Sequence, residues 1–280
     1  MPELPEVEVT RRSVAGGLQG ARVQAVEMGL PLRWPLGCPL DDLVGRVAGA
    51  MARRGKYLWL PLVVPGVAEG EDPPGLLMHL GMSGALSFAP QAPAPGPWDH
   101  FRLHTDQGCL WLTDPRRFGA VVYSAGRQVA PAATLLARLG PEPFDPALTP
   151  ARFHAALQQR RTPVKQALLS GELVVGAGNI YACEALFLAG IDPRTPCAQI
   201  GPQRAARLLA RVQDVLAQAI TAGGSTLKDF HDANGAAGHY QESARVYGRE
   251  GEPCSVCGTP IRRLVQAQRS TYHCPKCQRR

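Results

Sequence analysis

The chain contains very little lysine. Of 30 lysines and arginines, only four are lysine: Lys56, Lys165, Lys228 and Lys276. Arginine serves wherever a cation suffices. A retained lysine marks either chance retention or a place where an amine is useful, because an amine can titrate, move a proton or act as a compact point charge. Long apolar runs are also missing. No stretch reaches the roughly 18 residues of a membrane span. The start, Met1-Pro2-Glu3-Leu4-Pro5-Glu6, is acidic and proline-rich, not the basic-then-apolar pattern of a secretory signal. These absences lead us to expect a cytoplasmic protein with no membrane partner. Disulfide-type cysteine usage is absent as well. Cys38, Cys109, Cys183 and Cys197 are scattered among apolar or small residues, as buried reduced thiols are. There are no internal repeats and no low-complexity tracts.

What is present is enough for two ordinary domains: 280 residues, 45% of them hydrophobic. The formal net charge of +7 favours a polyanionic partner, most commonly nucleic acid. Much of it lies at the end. From Arg245 to Arg280 there are eight basic residues against Glu250 and Glu252, a net of +6.

Pattern along the chain divides it. Pro5 to Leu18 reads as a helix, with Pro5 in the first turn, Val7, Val14 and Leu18 near one face, and Gly20 as the stop. Short β runs follow from Arg22 to Tyr123, among them 57–60, 76–80, 110–112 and 120–123. Residues 89–97 form a Pro/Ala loop expected to be exposed. The prolines in 139–146 forbid regular structure and mark a boundary. Helices are expected from Pro150 to about Gln159 (capped by Thr149), from Pro163 to Ser170, from Asn179 to Gly190 and from Pro202 to Ala222.

Five motifs carry chemistry. Cys254-x-x-Cys257 and Cys274-x-x-Cys277, 16 residues apart, fit a tetrahedral zinc site on two knuckles. Four thiolates leave no open coordination position, so the Zn2+ is expected to be structural. Rubredoxin-type iron and a redox dithiol pair are alternatives, and the surrounding arginines favour nucleic acid. Gly176-Ala177-Gly178-Asn179 opens a helix, where backbone N–H groups bind phosphate; a plain N-cap is the alternative. Asp114-Pro115-Arg116-Arg117-Phe118-Gly119 and His79-Leu80-Gly81-Met82-Ser83-Gly84 are turns. Each reads either as ordinary hairpin chemistry or as a wedge, with arginine for base edges and Phe118 or Met82 for insertion. Finally, methionine before proline is commonly removed. Pro2 then carries a secondary α-amine, able to attack a sugar's anomeric carbon and form an electron-withdrawing iminium. Glu3 stands beside it to move protons.

Taken with 174–182, 226–230 and the tail, these motifs resemble, in order and over essentially the whole chain, the bacterial formamidopyrimidine-DNA glycosylases. Leu4 and the Arg116-Arg117-Phe118 run favour that branch over the sister endonuclease VIII family. The resemblance implies an α+β fold: an N-terminal helix plus two-layer β-sandwich, a helical domain with a helix–two-turn–helix unit, and a C-terminal zinc ribbon. Expected bounds are 2–135, a linker at 136–148, 149–244 with a lesion-capping loop, and 245–280. It implies excision of 8-oxoguanine and formamidopyrimidines from duplex DNA held between the two halves, then β- and δ-elimination, by a monomer in the bacterial cytoplasm with no small-molecule cofactor. Pro2 matches the Schiff-base nucleophile and Glu3 the proton donor. Lys56 matches the β-elimination lysine and Arg269 the δ-elimination arginine. Met82, Arg116 and Phe118 match the residues that fill the void left by the extruded base. His79, His100, Arg160, Arg161, Lys165, Asn179 and Lys228 are the remaining expected DNA contacts. Two departures stand out. Trp98-Asp99-His100 replaces the family's His-Asp-His, and Arg160-Arg161 replaces a lysine cluster. Rival functions are the endonuclease VIII activity and a non-catalytic zinc-ribbon binder of damaged DNA.

Overall fold

The computed structural model describes residues 2–66, 70–225, 238 and 240–280. It divides into two compact units, Met1–Ala137 with Gly223–Gly238, and Arg138–Ala222 with His239–Arg280. The zinc-ribbon tail and the helices thus share one unit. Among the described residues, Gly223, Gly224, Ser225 and Gly238 go with the β unit and not with the helices they follow. One cause is visible in α1 (Leu4–Leu18), where buried Glu6 accepts the Ser225 N–H at 2.8 Å. Lys228 lies outside the described residues.

In the first unit, α1 starts where Pro5 needs no hydrogen bond and ends at Gln19, just ahead of Gly20. Among the described residues nine strands follow: β1 (Val23–Met28), β2 (Val47–Ala48), β3 (Ala52–Arg54), β4 (Tyr57–Val63), β5 (Gly75–His79), β6 (Ala85–Ala89), β7 (Asp99–Thr105), β8 (Gly108–Thr113) and β9 (Ala120–Ser124). They make an antiparallel four-stranded sheet, β1-β7-β8-β6, and a five-stranded sheet, β2-β4-β5-β9 with β3 also on β4. Inward residues of both sheets share one core with the apolar face of α1: Leu58, Leu60, Leu76 and Met78 from one sheet, Phe101, Leu103, Leu110 and Leu112 from the other, Val7, Val14 and Leu18 from the helix. Burying each such side chain contributes about 1.5–3 kcal/mol. This is a two-layer sandwich closed by a helix. Short α2 (Ala132–Leu136) leaves no clear mark in the sequence pattern; its Ala132 packs under Trp59 and Leu77.

The second unit holds α3 (Pro150–Gln158), α4 (Val164–Leu169), α5 (Asn179–Ala189) and α6 (Pro202–Thr221). Thr149 caps α3 as expected, its hydroxyl oxygen accepting the Arg152 N–H at 3.3 Å. α6 turns Leu208, Leu209, Val212, Val215 and Leu216 into the helical core. The hairpin β10 (Arg262–Gln266) and β11 (Arg269–His273) belongs to the tail. The tail packs on α5 through a small core of its own, in which Val246, Ile261, Cys254 and Cys274 meet Cys183 and Phe187. Among the described residues no helix is long and apolar enough to cross a membrane.

Candidate functional site

The head of α1 is sealed. Pro2 and Glu3 are both buried. The Glu3 N–H donates to Glu6 Oε2 at 2.7 Å, while the other oxygen of Glu6 holds Ser225. One buried carboxylate therefore fixes the backbone at Glu3 and the chain at Ser225 together. A turn later, Glu8 accepts from Arg11, Arg12 and Arg53 at 2.8–3.1 Å. Burial pushes the Glu8 carboxyl up, but the three guanidinium groups outweigh it and hold its pKa at about 2. Arg53 also donates to the Gly55 carbonyl at 3.1 Å. Through Glu8 and Arg53, α1 is tied to the β3–β4 turn that carries Lys56.

His79 ends β5 with its ring 4.8 Å from that of Tyr57. Its Nδ1 accepts the Gly81 N–H at 3.0 Å, so the neutral ring carries its proton on Nε2. Burial, then the positive charges of Lys56 and Arg33, lower its pKa from near 6.5 to about 4, against an opposing pull from Asp114. The unfolded chain takes up this proton first, so stability is full above about pH 6.5 and falls as the pH drops toward 4, by about 3 kcal/mol. Glu8 acts in a lower window: its contribution is present above about pH 4.5 and is lost as the pH falls toward 2. Denaturant midpoints of His79→Gln should be flatter than those of the parent between about pH 6.5 and 4. Parallel curves would contradict the assignment.

Two turns then meet. Gly81 adopts φ +63°, and a Cβ there would lie 2.5 Å from the Phe118 carbonyl carbon and the Gly119 nitrogen. Only glycine allows this approach. Beneath the turns lies the fully buried carboxylate of Asp114, which accepts from the Ser83 hydroxyl at 2.6 Å, the Gly119 N–H at 2.7 Å and the Arg116 N–H at 3.3 Å. Above them Met82 and Phe118 are 40% and 48% exposed, and the Arg116 guanidinium stands 5.9 Å from the centre of the Phe118 ring. In the sequence Asp114 has no role beyond membership of its motif. Its burial is the missing signal.

Two expected DNA contacts lie inside the protein. His100 is 1% exposed. The β7–β8 register shifts between Asp99 and Phe101, so His100 sits at an irregularity and turns inward. Trp98, which replaces the family's histidine, is half exposed. Lys165 is fully buried in the second unit. Its ammonium donates to the Ser270 carbonyl at 3.1 Å and the Thr271 hydroxyl at 2.6 Å. A buried charge must be hydrogen-bonded inside the protein, as this one is. Asn179 Nδ2 donates to the same Ser270 carbonyl at 2.9 Å. The starts of α4 and α5 thus grip the residue that follows Arg269, and Arg269 itself is exposed where the tight 267–268 turn enters β11. Arg160 pairs with Glu172 at 2.9 Å, whereas Arg161 is exposed.

The tail is anchored by a residue that no sequence motif marks. Glu184, 1% exposed on α5, accepts the backbone N–H groups of Arg245, Val246 and Tyr247 at 2.8–2.9 Å. Beyond it the Sγ atoms of Cys254, Cys257, Cys274 and Cys277 all lie within 4.8 Å of one another, with pairs at 3.9 and 3.5 Å. A tetrahedron with Zn–S bonds of about 2.3 Å has edges of about 3.8 Å. The four thiols are positioned to bind one zinc ion.

Comparison with known proteins covers nearly all of this chain. Three family models match in series: the formamidopyrimidine-DNA glycosylase N-terminal domain over residues 1–121, its H2TH domain over 139–231, and a zinc finger found in FPG and IleRS over 251–280. The formamidopyrimidine-DNA glycosylase of Acidovorax sp. (strain JS42) is 57% identical, with both chains covered completely. The crystal structure of the MutM (Fpg) protein of Thermus thermophilus superposes with a TM-score of 0.87 at 37% identity, covering 99% of this chain and 98% of that one. A Lactococcus lactis Fpg mutant complexed with DNA containing Fapy-dG gives 0.89 at 32% identity, with full coverage of both. A MutM complex with DNA containing carbocyclic 8-oxo-G gives 0.88 at 33%, again with full coverage of both. With its three domains in family order and its length matched throughout, the chain belongs to the formamidopyrimidine-DNA glycosylase family.

Proposed function

We propose that this chain is a bifunctional DNA glycosylase and abasic-site lyase that removes 8-oxoguanine and formamidopyrimidines from duplex DNA. The observation that carries the reading is in the first unit: a sealed Pro2-Glu3 head on α1, together with the exposed trio Met82, Arg116 and Phe118 on two locked turns. The lesions named in the relatives' DNA complexes supply the substrate class.

The chemistry needs an amine and a proton carrier. With Met1 removed, Pro2 presents a secondary α-amine, whose ordinary pKa of roughly 7.7–8.0 leaves part of it unprotonated at neutral pH. The amine lone pair attacks C1′ of the damaged nucleotide. The bond from C1′ to the base breaks, and its electrons leave with the base, which takes a proton. Glu3 carries the protons for base loss and for opening of the sugar ring. The iminium then draws electrons from the sugar. Loss of a C2′ proton expels the 3′ phosphate, and loss of a C4′ proton expels the 5′ phosphate, with Lys56 and Arg269 assisting the two eliminations.

The target bond is hidden in the base stack, so the nucleotide is extruded at a cost of a few kcal/mol. Met82 and Phe118 fill the gap, and Arg116 reads the orphaned base. Asn179 and Arg269 hold flanking phosphates. Lys165 serves the same surface from inside, by fixing the hairpin behind Arg269. Zinc, held by its four thiolates, supplies a structural cross-link. The protein acts as a monomer in the bacterial cytoplasm.

Sodium borohydride reduction on lesion-bearing duplex tests the reading. A covalent protein–DNA product is expected, and excision of 8-oxoguanine opposite cytosine is expected to outrun excision of thymine glycol. No covalent product under full DNA binding would sink the catalytic reading. Preference for thymine glycol would move the chain to the endonuclease VIII activity.

A further inference from the structure

We infer that Asp114 is the positioning residue of the base-extrusion wedge: it sets the two turns that carry Met82, Arg116 and Phe118 before DNA arrives. The inference rests on the wedge reading above and adds the residue that makes the wedge rigid.

The three exposed side chains come from two turns far apart in sequence. Turns with exposed tips ordinarily move. Here one carboxylate joins them. Asp114 Oδ1 accepts from Ser83 of the first turn and from the Arg116 N–H of its own turn, and Oδ2 accepts from the Gly119 N–H at the turn's end. The Arg116 N–H also lies 3.3 Å from the Ser83 hydroxyl oxygen, which closes a ring of three groups. The Asp114 carbonyl accepts the Arg117 N–H at 3.1 Å, and the Asp114 N–H donates to the Trp98 carbonyl at 2.8 Å. Arg117 holds φ at +54°, a left-handed value a β-carbon-bearing residue keeps only when its surroundings fix it. With the carboxylate fully buried, its hydrogen bonds compete with no water, and hydrogen bonds to a charged acceptor are the stronger kind.

The functional consequence is preorganisation. Inserting side chains into a base stack succeeds to the extent that they are already held where the gap will open. If the turns are loose, the ordering cost falls on the extrusion step. Steps that need no extrusion are spared.

The test separates the two. Asp114→Asn keeps the shape but cannot offer acceptors to all three donors. Single-turnover excision of 8-oxoguanine from duplex DNA is expected to fall about tenfold, the equivalent of one charge-assisted hydrogen bond. Strand cleavage at a preformed abasic site in single-stranded DNA should change by less than about twofold. A 2-aminopurine placed beside the lesion should show slower fluorescence gain in the variant. Ser83→Ala removes one donor and is the second variant should Asp114→Asn fold poorly; a loss of about threefold confined to the duplex substrate is expected. Equal losses on both substrates, or an unchanged rate on duplex, would overturn the inference. Met82→Ala with Phe118→Ala reports on the wedge reading separately. If that variant extrudes normally, the wedge reading fails. If it does not, while Asp114→Asn and Ser83→Ala do, only the positioning role fails.

Discussion

Replacing Pro2 with Gly is expected to abolish the borohydride-trapped complex and to slow base excision about a thousandfold or more. Glycine leaves an α-amine at the same place, so the loss is not simply that of a nucleophile. A secondary amine gives an iminium with no N–H to lose, and its positive charge persists through both eliminations. A primary amine gives an imine that turns neutral when its proton leaves, a poorer electron sink. The pyrrolidine ring also fixes the nitrogen, whereas glycine is the freest residue in the chain. Retention of Met1 should act as strongly, because it converts the amine into an amide. Glu3→Gln is expected to cost about 10²–10⁴-fold by removing the proton carrier, while Glu6 continues to hold the Glu3 N–H. DNA affinity should stay within a few-fold in all three. Full trapping and excision by Pro2→Gly would refute the requirement for a secondary amine at this position.

Removal of zinc is the second large effect. Chelation, or Cys257→Ser, is expected to unfold the β10–β11 hairpin and to weaken binding to lesion DNA about a hundredfold. Structural zinc in small fingers is worth about 10–16 kcal/mol of apparent binding energy, and that energy is folding energy. The tail's own core is small, and two of its buried members, Cys254 and Cys274, are the thiols themselves. Outside it, the hairpin is pinned by Lys165 and Asn179 on Ser270, and the entering chain by Glu184. Those contacts hold the start of the tail and β11 but do not supply a core. Hydrogen exchange should therefore accelerate in 254–277 and remain slow in α6. Unchanged exchange after full chelation would show that the finger folds without its metal. Retained DNA affinity after the finger unfolds would show that Arg269 and its neighbours are not phosphate contacts.

Much of the architecture is written locally. The prolines at 139–146 and the glycines at 20 and 190 stop elements within a few residues of where they stand. The 3.6-residue spacing of Leu208, Leu209, Val212, Val215 and Leu216 places α6. The two Cys-x-x-Cys pairs specify their own cluster, since each knuckle is a local turn. Met82 between glycines and Phe118 after two arginines announce exposed apolar tips, and both are exposed.

Partner choice is decided elsewhere. Lys165 is expected to contact DNA on the resemblance alone; its partners Ser270 and Thr271 stand 105 and 106 residues away and hold its ammonium inside. His100 lies in a strand whose register slips beside it, and no pattern of period two reveals such a slip. Glu184 meets the tail 61–63 residues on, and Glu6 meets Ser225 across 219. The long helices and the cysteine cluster were determined by the sequence alone, because spacing and residue chemistry act over a few positions. Which buried carboxylate or ammonium holds which loop was settled only by the tertiary structure, because a charge inside a protein takes the partner that packing brings to it.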